Sequence, residues 1–129
     1  MPIRKFKALF EASHDAVFLI NGWQITEYNE AAERLFQIST VRQDQLNLRR
    51  LLPEKQKNGE DTAAIIFDAV DQAIRRREYV KLEAMLHSIE GKQFYSEIHI
   101  SVIELDGQKI VQMVVRDIPE VGETHSRVA

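Results

Sequence analysis

Apolar positions along the chain follow a helical spacing at its start and in its middle, and a strand-like alternation elsewhere. Near the start, apolar residues recur every three or four positions, which predicts an amphipathic helix whose apolar stripe must be covered. That stripe consists of Ile3, Phe6, Leu9 and Phe10. The run AVFLI at 16–20, the turn signal Asn21-Gly22 and the alternating residues 24–28 then predict an antiparallel hairpin.

The second strand runs directly into a predicted helix at Asn29. Asparagine is a favoured N-cap because its side-chain oxygen accepts a backbone N–H of the first helical turn. Glu30 and Glu33 follow where the helix dipole favours negative charge. The pattern therefore predicts a short helix that starts after Asn29 and carries Phe36 on its apolar side. For the polar stretch 37–61 we expect short helical turns and loops.

A longer helix is predicted from Thr62, because apolar residues recur there on one helical face. These residues are Ile66, Phe67, Val70 and Ile74. Asp61 can cap the first turn, and the arginines at 75–77 suit the negative end of the helix dipole. We interpret the arginine run as a solvated helix end, with an anion site as the alternative.

Three strands are predicted after the long helix, and the parities of their apolar residues define a register. A two-residue turn at 106–107 would pair Ile100 with Met113 on the inner face. The same turn would set Glu97 opposite Arg116, exposed on the outer face. The inward pairs would be Ile98–Val115, Ile100–Met113 and Val102–Val111.

The strand within residues 79–89 matches this inner face only if the loop around Gly91 has an odd number of residues or a bulge. Its inward residues would be Val80, Leu82, Ala84 and Leu86. Other apolar residues of the sheet fall on the outer face: Val17, Leu19, Tyr95, Ile103, Ile110 and Val114. Part of that face must therefore be covered, and the N-terminal helix is the nearest candidate.

The length, net charge and cysteine content of the chain exclude several classes of function. A chain of 129 residues with a net charge of -3 suggests one domain with a modest core and no general attraction to phosphate, so nucleic acid is not an expected partner. The absence of cysteine excludes disulfides, thiolate metal sites and cysteine nucleophiles. The apolar runs are too short to cross a bilayer and the first residues lack a signal-peptide pattern, so we expect a soluble, cytoplasmic segment without membrane contact.

Several segments, in this order, resemble the PAS sensor-domain family over nearly the whole chain. FKALFEASHDAVFLI is similar to the family's leading helix and first strand, and YNEAAERLF to its Asn-x-Ala-x-x-x-Leu-Phe helix. LDGQ and VVRDI resemble its closing hairpin and strand, although Pro119 stands where the family usually has threonine.

The resemblance implies an α+β fold, with a five-stranded antiparallel sheet, helices packed on one face and a cavity between them. It divides the chain into an N-terminal amphipathic flanking helix at 1–14, a PAS domain at 15–119 and a C-terminal linker or tail at 120–129.

The resemblance also implies a non-catalytic sensory and dimerisation module. Its output module, such as a histidine kinase, a cyclic-dinucleotide enzyme or a transcription regulator, would be missing from this chain. A homodimer and a small-molecule ligand are the expected partners. The residues expected to serve dimerisation or signalling are Ile3, Phe6, Leu9, Phe10, Arg116 and Asp117.

The cofactor and ligand are left unidentified. Family members that form a flavin photoadduct need a cysteine, and haem-binding members commonly ligate iron through a histidine on the long helix, which has none here. A non-covalent flavin, a fatty or aromatic acid, or no ligand remain as alternatives. The expected cavity lining, with ordinary core as the competing interpretation, is Phe36, Ile66, Phe67, Val70, Leu82, Ile98, Ile100, Met113 and Val115.

Other chemistry is disfavoured. The four histidines, at 14, 87, 99 and 125, show no metal-ligand spacing, and the consecutive Ser13, His14 and Asp15 cannot form a relay. Two functional alternatives are a ligand-free protein-interaction module and a small α+β enzyme with a cone-shaped pocket. The enzyme would need an inward carboxylate, and Asp117 is the one candidate.

Overall fold

Five strands and two helices make up the part of the chain that the computed structural model describes, which is residues 14–118 apart from the side chain of residue 105. In chain order the elements are β1 (Ala16–Asn21), β2 (Gln24–Tyr28), α1 (Glu30–Phe36), 3-10 helices at Gln43–Gln45 and Leu48–Leu51, α2 (Thr62–Arg76), β3 (Val80–His87), β4 (Gln93–Leu105) and β5 (Gln108–Asp117). The strands form one antiparallel sheet in the order β2-β1-β5-β4-β3. The predicted fold class is therefore confirmed, whereas the predicted N-terminal helix lies outside the described residues.

Asn29 connects the start of α1 to the sheet. Its Oδ1 accepts the Ala32 N–H at 2.9 Å, as predicted for an N-cap, and also the Val17 N–H at 2.9 Å. Its Nδ2 donates to the Asp15 carbonyl at 3.0 Å. With only 1% of its surface exposed, this side chain holds the beginning of β1 against the beginning of α1.

The long helix α2 begins at its predicted cap but is rotated relative to the predicted apolar face. Asp61 accepts the Ala64 N–H at 3.1 Å. The buried stripe consists of Thr62, Ile66, Ala69 and Ala73. Phe67 and Ile74, which were predicted on the core side, are 56% and 48% exposed. The small side chains of the two alanines let the helix backbone approach the sheet closely, so the alanine side faces the core.

The register of the last three strands is confirmed. Ile100 pairs with Met113 and Glu97 with Arg116 across a two-residue turn, whose residues both have positive φ, at 52° and 79°. This geometry corresponds to a type I′ hairpin turn. His87 pairs with Gln93, which leaves a five-residue loop, so the predicted odd number is also correct. The first hairpin turns one residue later than predicted, because Asn21 still pairs with Gln24.

The main core lies between the inner face of the sheet and the helices. α1 contacts β1, and α2 contacts β3 and β4. Three aromatic rings form its centre, with centroids 5.2 Å apart for Phe18 and Phe36 and 5.3 Å apart for Phe36 and Phe94. Neither helix of the described part of the chain is long and apolar enough to cross a membrane.

Candidate functional site

Most of the predicted cavity lining meets in the main core. Six of the nine residues are fully buried there: Phe36, Ile66, Ile98, Ile100, Met113 and Val115. Val70 and Leu82 are half-buried and pack against the same cluster. Phe67 does not line the interior, because it lies on the exposed side of α2. The predicted set thus lies in the same core as the packed rings of Phe18, Phe36 and Phe94.

An apolar groove of about 180 Å³ runs beside α2, and we call it the α2 groove. It is lined by Gly22, Trp23, Leu48, Phe67, Val70, Asp71, Ile74 and Val111. The sequence pattern did not indicate Trp23 or Leu48, since the first lies in a turn and the second in a polar stretch. The apolar character of Trp23 in a turn and of Leu48 in a polar stretch was the available signal.

Charged groups flank the α2 groove. Asp71 Oδ1 accepts a hydrogen bond from Arg75 Nε at 2.9 Å, an i,i+4 pair on the helix surface. The Arg49 guanidinium lies 5.2 Å from the centre of the Trp23 ring, within the range of a cation–π contact. The Asp71–Arg75 pair is exposed to water, so it contributes little to stability.

A polar cluster lies on the outer face of the sheet, and we call it the outer polar cluster: Asp15, Tyr79, Lys81, Glu97, His99 and Arg116. Arg116 is at its centre, with Nη2 3.3 Å from Asp15 Oδ2 and Nη1 3.7 Å from Glu97 Oε1. Lys81 Nζ lies 3.4 Å from Glu97 Oε2. Glu97 was predicted to be exposed, but its side chain is only 16% exposed because these cations cover it.

His99 links this cluster to Tyr79. Its Nε2 lies 3.0 Å from Glu97 Oε1, and because a carboxylate can only accept, Nε2 carries the proton. In the neutral ring, Nδ1 then accepts the hydrogen bond from the Tyr79 hydroxyl. Burial has the largest effect on the pKa of His99 and lowers it. The positive charge of Arg116 lowers this pKa further, whereas the negative charge of Asp15 raises it. Burial and the charge of Arg116 therefore favour the neutral form of His99.

Arg116 also connects the two ends of the described chain. Its guanidinium donates to both carboxylate oxygens of Asp15, at 3.4 and 3.3 Å, across a sequence separation of 101 residues. This hydrogen bond and the charge of Asp15 raise the pKa of Arg116. The sequence indicated only Glu97 as a partner of Arg116. Asp117, the other predicted signalling residue, is exposed at the end of β5.

A second apolar cluster covers part of the outer face, and we call it the outer apolar patch. Val17 and Leu19 are buried at its centre. Ile103, Ile110 and Val114 pack against them. Tyr95, also predicted on this face, is half-buried and its hydroxyl donates to Glu83 Oε1 at 3.4 Å. The residues predicted to cover this face, Ile3, Phe6, Leu9 and Phe10, lie outside the described part of the chain.

The described residues offer little chemistry for catalysis or metal binding. The buried polar residues between 14 and 118 are Asn29, Thr62, Ser88 and Ser96, which include no carboxylate. Within the same range, no three histidine, aspartate or glutamate side chains are close enough together to hold a metal ion. His14 and Asp15 immediately precede β1, and Ser13 and His125 fall outside the described range.

Residues 4–71, more than half of the chain, match the family model described as "PAS domain". The chain therefore belongs to the PAS domain family, as its strand order and capped α1 helix also indicate. No curated protein matches this chain.

Solved structures with the same fold include several PAS domains of low sequence identity. One, from a two-component sensor histidine kinase, is 18% identical, with a TM-score of 0.65 over 92% of this chain and 100% of that chain. A second, from the nitrogen regulation protein NR(II) of Vibrio parahaemolyticus, is 19% identical, with a TM-score of 0.68 over 86% and 95%. A third, from a LuxR-family transcriptional regulator of Burkholderia thailandensis in complex with ethanol, is 12% identical, with a TM-score of 0.65 over 89% and 98%. At these identities the similarity establishes the fold alone.

Proposed function

We propose that this chain is a non-catalytic sensory and dimerisation module of a larger, cytoplasmic signal-transduction protein. Its output module would be a histidine kinase, a cyclic-dinucleotide enzyme or a transcription regulator outside this sequence. Membership of the PAS family supports a sensory role. Two compared structures come from proteins described as a sensor histidine kinase and a transcriptional regulator, which is consistent with such outputs.

The observation that carries this proposal is the link between Arg116 and Asp15. Arg116 belongs to the last strand, and Asp15 immediately precedes the first. A displacement of β5 would therefore act both on the chain that follows residue 118 and on the segment before residue 14. An ion pair in this position couples the two connections through which a domain of this kind can pass on a signal.

The dimer is proposed to form through the outer apolar patch. The first residues carry an apolar stripe at helical spacing, namely Ile3, Phe6, Leu9 and Phe10. Such a stripe left in water would be an exposed apolar patch, which commonly marks an interface. We infer that this segment packs on the outer apolar patch, of its own chain or of a partner, and so contributes to a homodimer.

Sedimentation of the whole chain at micromolar concentration tests this interface. The double variant Phe6→Glu/Phe10→Glu should form smaller assemblies than the wild type, because it places two charges in the apolar stripe. Lys5→Glu/Ala8→Glu is the matched control on the opposite side of the same predicted helix, and it should sediment like the wild type. Identical sedimentation of all three samples, with equal thermal stability, would contradict both the docking and the dimer through this patch.

The proposed ligand is a small apolar molecule between α2 and the sheet. The lining there is apolar, and the half-buried Val70 and Leu82 lie at its margin. The ethanol bound to the PAS domain from Burkholderia thailandensis illustrates how small such a ligand can be. Mass spectrometry of compounds released from the purified, denatured chain tests the proposal, with the final wash as control. A stoichiometric compound would support it.

A ligand-free interaction module is the second candidate. The packing of Phe18, Phe36 and Phe94 favours it, because these rings occupy the centre of the core without a ligand. If no compound is released and the wild-type chain self-associates, the sensory part of the proposal fails and the interaction module is preferred.

A further inference from the structure

One face of α2 exposes large apolar side chains to water. Phe67, Val70 and Ile74 lie at positions i, i+3 and i+7, and the first and last are 56% and 48% exposed. Phe67, Ile74 and Tyr79 are the large hydrophobic side chains that residues 14–118 expose. Exposed apolar surface concentrated on one helix face is typical of an interaction surface.

The size of the α2 groove favours a protein side chain over a small-molecule ligand. Its volume of about 180 Å³ is below the range of roughly 300–1,000 Å³ that ligand pockets usually have. A groove of this size fits one large side chain, and a buried aromatic anchor is a common centre of a protein interface. The spacing i, i+3 and i+7 along the wall of the groove is the one that helices use to pack on each other.

The charges on α2 make its exposed face complementary to itself. Asp68 and Asp71 precede Arg75, Arg76 and Arg77, so the helix is acidic towards its middle and basic at its end. Asp68 and Arg75 are seven residues apart, about two helical turns, and therefore lie on the same flank of the apolar stripe. In an antiparallel pair of α2 helices each acidic half would face a basic half, whereas a parallel pair would oppose like charges.

The ion pair that Arg75 forms within its own helix does not prevent it from pairing with a second chain. Arg75 contacts Asp71 of its own helix, but its side chain is 77% exposed. An exposed i,i+4 pair contributes only a few tenths of a kcal/mol. Arg75 can therefore turn towards a second chain at little cost.

We propose that two copies of this chain associate through antiparallel packing of α2 around a two-fold axis near Val70 and Asp71. Phe67 of each copy occupies the α2 groove of the other, next to Ile74, and Asp68 pairs with the partner's Arg75. This surface is separate from the outer apolar patch, which lies on the other face of the sheet. The contact therefore does not depend on the interface proposed above, and the two together would produce assemblies larger than a dimer.

Disulfide trapping tests the two-fold axis directly, because the chain has no cysteine of its own. The variant Asp71→Cys places a thiol close to the axis, where it meets its equivalent in the second copy. Gln72→Cys is the matched control, about 100° further around the same helix. Mild oxidation of the whole chain should cross-link the first variant and leave the second monomeric by SDS gel. The same result is expected in the Phe6→Glu/Phe10→Glu background, where the outer-face contact is lost.

A second test exchanges the charges at positions 68 and 75. Sedimentation of the Phe6→Glu/Phe10→Glu chain measures the dissociation constant of its self-association with and without these changes. Asp68→Arg and Arg75→Asp should each weaken association roughly fivefold, because each removes two symmetry-related pairs. The double variant should restore the wild-type value, and Phe67→Glu should weaken association at least tenfold. These side chains are exposed, so far-UV circular dichroism should show unchanged folding.

A lack of cross-linking at position 71, equal cross-linking at positions 71 and 72, or a double charge variant weaker than both single variants would overturn the proposal. Any of these results would leave the α2 groove to a different protein or to a very small ligand.

Discussion

Replacing Asn29 with alanine should destabilise the fold more than the loss of an ordinary helix cap. The substitution removes the cap of the Ala32 N–H, which typically costs about 1 kcal/mol. It also leaves the buried Val17 N–H without its acceptor, which costs roughly 1–3 kcal/mol. The lost donation to the Asp15 carbonyl adds about 1 kcal/mol. The expected decrease in the free energy of unfolding is therefore about 3–5 kcal/mol.

Asp61→Ala is the matched control for this prediction. Asp61 caps α2 through the equivalent backbone N–H, that of Ala64, but the structure shows no side-chain bond from it to the sheet. Its loss should cost about 1 kcal/mol. The difference between the two variants thus isolates the connection that Asn29 makes between α1 and β1.

Urea unfolding followed by far-UV circular dichroism measures both variants. The midpoint should decrease without a change in the m-value, because the unfolded surface is the same. If Asn29→Ala lost no more stability than Asp61→Ala, the hydrogen bonds to Val17 and Asp15 would have no energetic role, and the argument for a structural link would fail.

Three further predictions concern the core, the outer polar cluster and the spectrum. Ile100→Ala should cost about 3 kcal/mol in urea unfolding, against about 1 kcal/mol for the half-buried Ile103→Ala; equal costs would contradict the assignment of the two faces. The pKa of His99 is lower in the folded chain than its ordinary value of 6.5, so the unfolded chain binds more protons than the folded chain when the pH falls through this value. The wild type should therefore lose stability between about pH 7.5 and about pH 5.5. His99→Gln should lose less over this interval, and an identical decrease in both proteins would show that another group is responsible. The purified chain should show no Soret band and no photoadduct cycle, since it has no cysteine and no histidine on α2; a haem spectrum would refute this.

Local signals in the sequence were sufficient to predict the described helices and strands and the register of β3, β4 and β5. The caps at Asn29 and Asp61 act on backbone groups three residues away, so each helix start can be recognised from neighbouring residues alone. The hairpin at 106–107 is similarly local, because a two-residue turn combined with an alternating pattern permits a single alignment of β4 and β5. The candidate lining on these strands followed from that alignment.

The orientation of α2 depended on tertiary packing. Two stripes on this helix were consistent with the sequence, one centred on Phe67 and Ile74 and the other on Ala69 and Ala73. Large apolar side chains suggested the first, but a helix that lies close to a sheet needs small residues at the contact. The α2 groove consequently opens on the side where the sequence pattern predicted core.

Contacts between distant parts of the chain likewise required the folded structure. Asp15 and Arg116 are 101 residues apart, and no periodicity relates a residue before the first strand to one in the last. They meet because β1 pairs with β5 in the middle of the sheet, an order that local patterns do not encode. Burial of Glu97 follows from the same convergence, since the cations that cover it come from β3 and β5. Sequence patterns report interactions within a few residues, whereas these contacts depend on how all five strands are arranged.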